Sequence, residues 1–186
     1  MRAFTRPPGS KAGAPFVETD MSTTRITARR NETDVRPFHA SPELAANLQR
    51  VLVELIELQL QGKQAHWNVV GTNFRDLHLQ LDELVDYARE AGDVVAERMR
   101  ALDAVPDGRA DTVAESTTLP KFPAYEVNTA EAVDLITGHI HAAVETVRDV
   151  RDQVEAEHPA SADILHDIIV NLEKQAWLIK MENRKV

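Results

Sequence analysis

Residues 66–97 read HWNVVGTNFRDLHLQLDELVDYAREAGDVVAE. Two histidines, His66 and His78, share this stretch with a row of carboxylates that includes Asp82, Asp93 and Glu97. All five are metal-ligand types, and their spacing is informative. The part from about Asn73 onward has helical periodicity. At 100° per residue, with His78 as zero, Asp82 falls at about 40°, Asp93 at about 60° and Glu97 at about 100°, so all four share one face. Fifteen residues separate His78 from Asp93, about 22 Å of helix at 1.5 Å per residue. Metal–ligand bonds are about 2 Å long, so no single ion reaches both ends. His78/Asp82 and Asp93/Glu97 therefore read as two half-sites on one helix. A two-fold axis near Tyr87 would run two copies antiparallel and set each half-site opposite its complement. The spacing thus predicts complete sites only in a dimer.

Outward from this stretch the chain reads as four long amphipathic helices. The first begins at Ser41-Pro42-Glu43, a cap, a first-turn proline and an acid at the positive end of the dipole. Leu44, Leu48, Leu52 and Leu55 recur on its apolar side, and His66, three turns beyond Leu55, points where they point. An imidazole on such a stripe is usually a hydrogen-bonded core residue; the second histidine and the acids favour a ligand instead. Gly71 is the expected C-cap. The second helix spans about Asn73 to Asp103, with Gly92 inside it at a cost of roughly 1 kcal/mol. Its acids alone would read as a solvated face. Pro106-Asp107-Gly108 breaks the chain. A long structureless loop is unusual in a compact domain, so a short helix is expected near Asp111–Ser116, then an extended stretch through Pro120 and Pro123. The third helix starts at the Asn128…Glu131 capping box and stops before Pro159; the fourth follows from about Ala160. The long connection between the second and third long helices implies a crossover. The fold class is all-α: a ferritin-like four-helix bundle whose long crossover carries a short helix.

The totals narrow the chemistry. The 186 residues include no cysteine, so disulfides, thiolate zinc sites and cysteine nucleophiles are excluded. A metal must use His, Asp or Glu, which suits a hard or borderline ion such as iron. Apolar runs are short and the first twenty residues lack a continuous apolar core, so no membrane span or secretory signal is expected and the protein reads as cytoplasmic. Net charge is −9, unevenly placed. Residues 1–39, rich in proline and without apolar periodicity, read as a disordered basic tail, and 40–186 as the bundle. The tail carries seven basic residues (Arg2, Arg6, Lys11, Arg25, Arg29, Arg30 and Arg36) against four acids. An acidic body would repel DNA, whereas such an arm suits phosphate contacts as well as it suits a plain solvated terminus. No phosphate-loop, dinucleotide or serine-hydrolase motif occurs.

The segments His66-Trp67-Asn68-Val69-Val70-Gly71, Leu77-His78-Leu79-Gln80-Leu81-Asp82 and Asp93-Val94-Val95-Ala96-Glu97-Arg98 resemble the Dps proteins, the mini-ferritins. Lys63-Gln64-Ala65 and Leu172-Glu173-Lys174-Gln175-Ala176-Trp177 extend the resemblance, which covers roughly residues 40–182. It implies a hollow homododecamer of two-fold dimers that oxidises Fe(II), preferably with hydrogen peroxide, and stores ferric oxide. The ferroxidase centre, di-iron or mono-iron, would take His66, His78 and Asp82 from one subunit and Asp93 and Glu97 from its mate. The imidazoles would hold one iron, Glu97 would bridge, and Asp82 and Asp93 would complete the shell. Trp67 would lie near the iron, although an aromatic there also reads as packing. Asp163 is the pore candidate on the same basis. DNA contact through the tail would make the shell nucleoid-associated.

Two alternatives stand beside this reading. One is a non-enzymatic DNA-compacting shell. The other is a conventional di-iron ferritin, which needs Glu-x-x-His motifs on two helices of one bundle. Glu155-Ala156-Glu157-His158 is one such match, at a helix end just before Pro159, and reads as coincidental. His158, His166 and Asp167 read as surface residues. His139 and His141 are two residues apart and so face different sides of their helix.

Overall fold

The computed structural model describes residues 37–184; the tail residues 1–36, with all seven arm cations, lie outside the described residues. Five helices follow: α1 (Pro42–Asn68), α2 (Phe74–Ala101), α3 (Ala110–Ser116), α4 (Thr129–Glu157) and α5 (Pro159–Met181). α1 packs on α2 and α4, and α5 closes the bundle against α4 and α2. Ser41 caps α1 by accepting the Leu44 N–H at 3.0 Å, with Pro42 in the first turn. Each helix turns one apolar stripe inward. Leu48 and Leu55 of α1, Leu81 and Leu84 of α2, Ile136 and Ile140 of α4, and Leu165 and Leu172 of α5 are buried. Burial of each such side chain contributes about 1.5–3 kcal/mol. α2 runs unbroken through Gly92.

The end contacts fix helix directions. At one end the Ser41 N–H and Oγ–H donate to the two carboxylate oxygens of Glu157, at 2.9 and 2.6 Å, and Ala40 N–H donates to Leu102 O at 2.9 Å. At the other end Asn183 Nδ2 donates to Ala130 O at 2.8 Å. α1 and α5 therefore run one way and α2 and α4 the other, so parallel α2 and α4 need the expected long crossover. α3 lies within it at the predicted place.

The crossover is fastened to α1 rather than left loose. Gln49 exchanges two hydrogen bonds with the Asp107 backbone, at 2.7 and 2.8 Å. Glu54, only 2% exposed, accepts from Thr117 Oγ1, Thr118 N–H and Thr118 Oγ1 at 2.7–2.9 Å. Gln61 Oε1 accepts the Phe122 N–H at 2.7 Å. Thus backbone that would otherwise lack partners finds them on one polar edge of α1. The crossover ends in a strand pairing the sequence did not reveal: β1 (Val69–Val70) runs parallel to β2 (Val127–Asn128), with Val69 opposite Val127.

That pairing corrects the expected end of α1. The cap is extended Val69, drawn into β1, while Gly71 stands beyond it at φ +114°, a conformation suited to glycine. Asn73 then opens α2 in the left-handed region, which asparagine tolerates. Asn128 caps α4 as expected, accepting Glu131 N–H at 3.0 Å, but the Glu131 carboxylate accepts from Tyr125 O–H at 3.3 Å instead of reaching back. None of the described helices is long and apolar enough to cross a membrane.

Candidate metal centre

Antiparallel α1 and α2 bring His66 against His78. A Cβ on Gly62 would come within 2.9 Å of Val85 Cγ2, so glycine there permits the close helix approach. The imidazoles stack with centroids 3.6 Å apart and planes at 22°. His66 Nδ1 lies 3.0 Å from the His78 carbonyl, and His78 Nδ1 lies 3.0 Å from the His66 carbonyl. A carbonyl only accepts, so each Nδ1 carries a hydrogen, and Nε2 is the nitrogen of each ring left to ligate. This exchange orients both rings as a metal site requires, with the second nitrogen of each tied down. Phe74 covers His78 with ring centroids 5.0 Å apart.

Asp82, one turn after His78, completes the corner. Its Oδ1 lies 3.2 Å from His66 Nδ1 and accepts a hydrogen bond from the Lys63 ammonium. That hydrogen bond holds the Asp82 carboxyl below the usual range; partial burial opposes it, and the nearby His66, Lys63 and His78 charges assist. In ligand type the two imidazoles and the carboxylate suit a borderline divalent ion, although they do not converge on one point within a single chain. Among the described residues of one chain, no three His, Asp or Glu side chains gather closely enough to hold an ion.

Asp93 and Glu97 lie further along α2, exposed, and neither has a hydrogen-bond or ion-pair partner among the described residues. Asp93 borders an open groove of about 550 Å³ between α1 and α2, lined also by Ile56, Gln59, Arg89 and Ala96. The structure thus brings together His66, His78 and Asp82 and leaves Asp93 and Glu97 apart from them. Tyr87, near the midpoint, turns toward α5, where burial first and then the Asp167 charge push its phenol up to about 12. Trp67 is 69% exposed, so packing within its own subunit does not account for it.

The remaining candidates separate cleanly. Asp163 is exposed at the start of α5. His158 caps α5 by accepting the Ser161 N–H at 3.2 Å and sits 3.1 Å from Arg98, so the Glu155–His158 match belongs to a helix junction. His139 is fully buried and donates from Nδ1 to Leu135 O at 2.6 Å, whereas His141 is exposed. Sequence reasoning missed Lys63 as a partner of Asp82. Its place one turn before His66, level with Asp82 on the antiparallel helix, was the available signal.

The ferritin-like domain family matches residues 45–184. The chain is 30% identical to DNA protection during starvation protein 2 of Deinococcus radiodurans, over 93% of this chain and 75% of that one. It is 38% identical to the DNA protection during starvation protein of Halobacterium salinarum, over 69% and 71%. A crystal structure of a Dps from Deinococcus radiodurans superposes with TM-score 0.74 at 31% identity, covering 77% of this chain and 87% of that one. The Dps of Microbacterium arborescens in its high-iron form gives 0.72 at 32% identity, covering 78% and 97%. With the matched domain, these relatives and the four-helix architecture in agreement, the chain belongs to the Dps branch of the ferritin-like family.

Proposed function

We propose that this protein is a ferroxidase and iron store whose centres form between two-fold-related subunits of a dodecameric cytoplasmic shell. His66, His78 and Asp82 of one subunit and Asp93 and Glu97 of its mate take Fe(II) as substrate. The observation that carries this reading is the locked histidine pair beside Asp82, standing apart from two acids on the same helix that have no partner among the described residues. Two Fe(II) ions at one centre can each give one electron to hydrogen peroxide. The O–O bond breaks, two protons are taken up, and two waters and two Fe(III) result. Delivering both electrons together avoids hydroxyl radical. The Nδ1–carbonyl bonds keep the imidazoles aimed, and the Phe74 ring packs beside His78. Ferric oxide would then collect inside the shell, with Asp163 at an entry pore.

Complementation tests the shared site. His78→Ala and Asp93→Ala should each abolish fast Fe(II) oxidation. Mixed dimers of the two variants should regain one working site per pair, because one centre then receives both intact halves. Mixed assemblies as inactive as their parents would sink the shared centre.

A second role, DNA binding through the basic tail 1–39, draws support from the relatives named for DNA protection and from the seven arm cations. It would place the shell on the nucleoid, and it can coexist with iron oxidation or replace it. Loss of a salt-dependent gel shift on deleting residues 1–38 supports the arm; an unchanged shift removes it.

A further inference from the structure

Between α4 and α5 lies an open groove of about 730 Å³, bordered by Asp134, His141, Glu173, Trp177, Lys180 and Arg184. Small-molecule sites span roughly 300–1,000 Å³, so the groove has room for one. Trp177 is 57% exposed, so neither wall covers its indole. Lys180 follows one turn later on the same face of α5, and Arg184 comes just past the helix end. The chain is acidic, and Arg50, Arg109, Arg148 and Arg151 each pair with a nearby carboxylate. Lys180 and Arg184 pair with none among the described residues, although Asp134 and Glu173 border the same groove. Those two acids are already engaged: Glu173 accepts from Arg148, and Asp134 from Asn183 Nδ2 at 3.5 Å. What the groove leaves open is therefore one aromatic face and two cations beside it.

We propose that this groove binds a nucleoside phosphate, its base stacked on Trp177 and its phosphate held by Lys180 and Arg184. Stacking on an indole is tolerant of sequence, because every base has a π-face. The phosphate supplies the anion that the two cations lack: arginine offers its oxygens a planar fork, and lysine a point charge. Along the chain the indole comes first and the cations follow, so base and phosphate are met in that order. A free nucleotide and a nucleotide exposed in single-stranded DNA offer this same chemistry. The site shares no residue with the candidate metal centre or with the basic tail, and unlike a row of cations it engages the base as well as the phosphate.

The test uses the full chain in its native assembly, with adenosine monophosphate as the probe. Trp67→Phe removes the other of the two tryptophans, so emission then reports on Trp177 alone. Adenosine monophosphate should quench that emission saturably, with adenosine and inorganic phosphate each binding on the order of tenfold more weakly. By calorimetry, Trp177→Ala should weaken the nucleotide on the order of tenfold. Lys180→Gln combined with Arg184→Gln should cost a similar factor and remove most of the salt dependence. Lys174→Gln, at an exposed position outside the groove, should change nothing. Should Trp177→Ala fail to assemble, the paired substitution of the two exposed cations carries the test. A single-stranded oligothymidylate identifies the source. Quenching by the oligomer at far lower nucleotide concentration assigns the site to DNA, and otherwise it belongs to a free nucleotide. No saturable quenching by either probe, or nucleotide affinity unchanged in Trp177→Ala or in the cation pair, overturns the site. An indole shielded from acrylamide in the native assembly also overturns it, since a neighbouring subunit would then fill the groove.

Discussion

The start and the end of α2 carry the same class of side chain in different states of order. Near the start, His78 and Asp82 are half-buried and tied to α1 through His66 and Lys63. Near the end, Asp93 and Glu97 stand exposed with no partner among the described residues. The cause lies in what α1 offers at each level. Opposite His78 and Asp82 it presents His66 and Lys63, whereas beside Asp93 the groove is bordered by Leu52, Ile56 and Gln59, which carry no charge. A subunit therefore pre-organises imidazoles, which need a fixed tautomer and direction. It leaves free the Asp93 and Glu97 carboxylates, which bind well from several directions. Pre-organisation lowers the ordering cost at binding, so the histidine end should dominate affinity.

The sharpest way to break this comparison is to remove one ligand from each end and measure binding of a redox-inert ion. His78→Ala should weaken Co(II) binding on the order of 100-fold, because it removes one of the two oriented imidazoles, while His66 keeps the residue-78 carbonyl that aims it. Asp93→Ala should cost about tenfold, since the ordered half-site still holds the ion. Calorimetry on native assemblies reads both. Equal losses would mean that the acids are as pre-organised as the histidines, contrary to their exposure.

A smaller effect separates the scaffold from the site. Glu54 lies on α1 facing the crossover, not α2. Glu54→Ala strips partners from Thr117 Oγ1, Thr118 N–H and Thr118 Oγ1, and should destabilise the fold by about 2 kcal/mol. Chemical denaturation gives that loss, while Co(II) affinity at the histidine end should hold. A matching fall in affinity would show that the crossover, and not the α1–α2 seam alone, sets the histidine geometry.

Much of this was legible in the sequence, for reasons that differ by element. The four long helices declare themselves because a buried stripe repeats many times along each, and Ser41 and Asn128 mark starts by chemistry that is local. The phasing of His78, Asp82, Asp93 and Glu97 needs only the helix pitch. What could not be read depends on partners distant in sequence. A two-residue strand has no periodicity, and Val69 pairs with Val127, so Gly71 looked like a helix cap. Glu54 looks like any polar residue on an amphipathic helix until Thr117 and Thr118 fold over it. Lys63 and Asp82 meet only once the α1–α2 register is known, and that register depends on the close approach at Gly62.

The smallest expected effect lies at the acidic end, where α2 finishes beside the start of α1. Ser41 donates from its N–H and its hydroxyl to the two oxygens of Glu157. The hydroxyl bond first and the backbone bond second hold the Glu157 carboxyl below its ordinary 4.5; partial burial opposes them. A carboxyl lowered by folding makes the folded state bind its proton less readily than the unfolded chain does. Its contribution is therefore complete above the ordinary value and is lost as pH falls from there through the folded one. Glu157→Gln keeps an acceptor for Ser41 but nothing to titrate, so its stability should fall less steeply below about pH 4.5. Denaturation midpoints measured from about pH 6 down to about pH 3 compare the two slopes directly. Parallel decline in both proteins would move the proton-linked group elsewhere. The clamp between the start of α1 and the end of α4 would then be only a hydrogen-bonded cap.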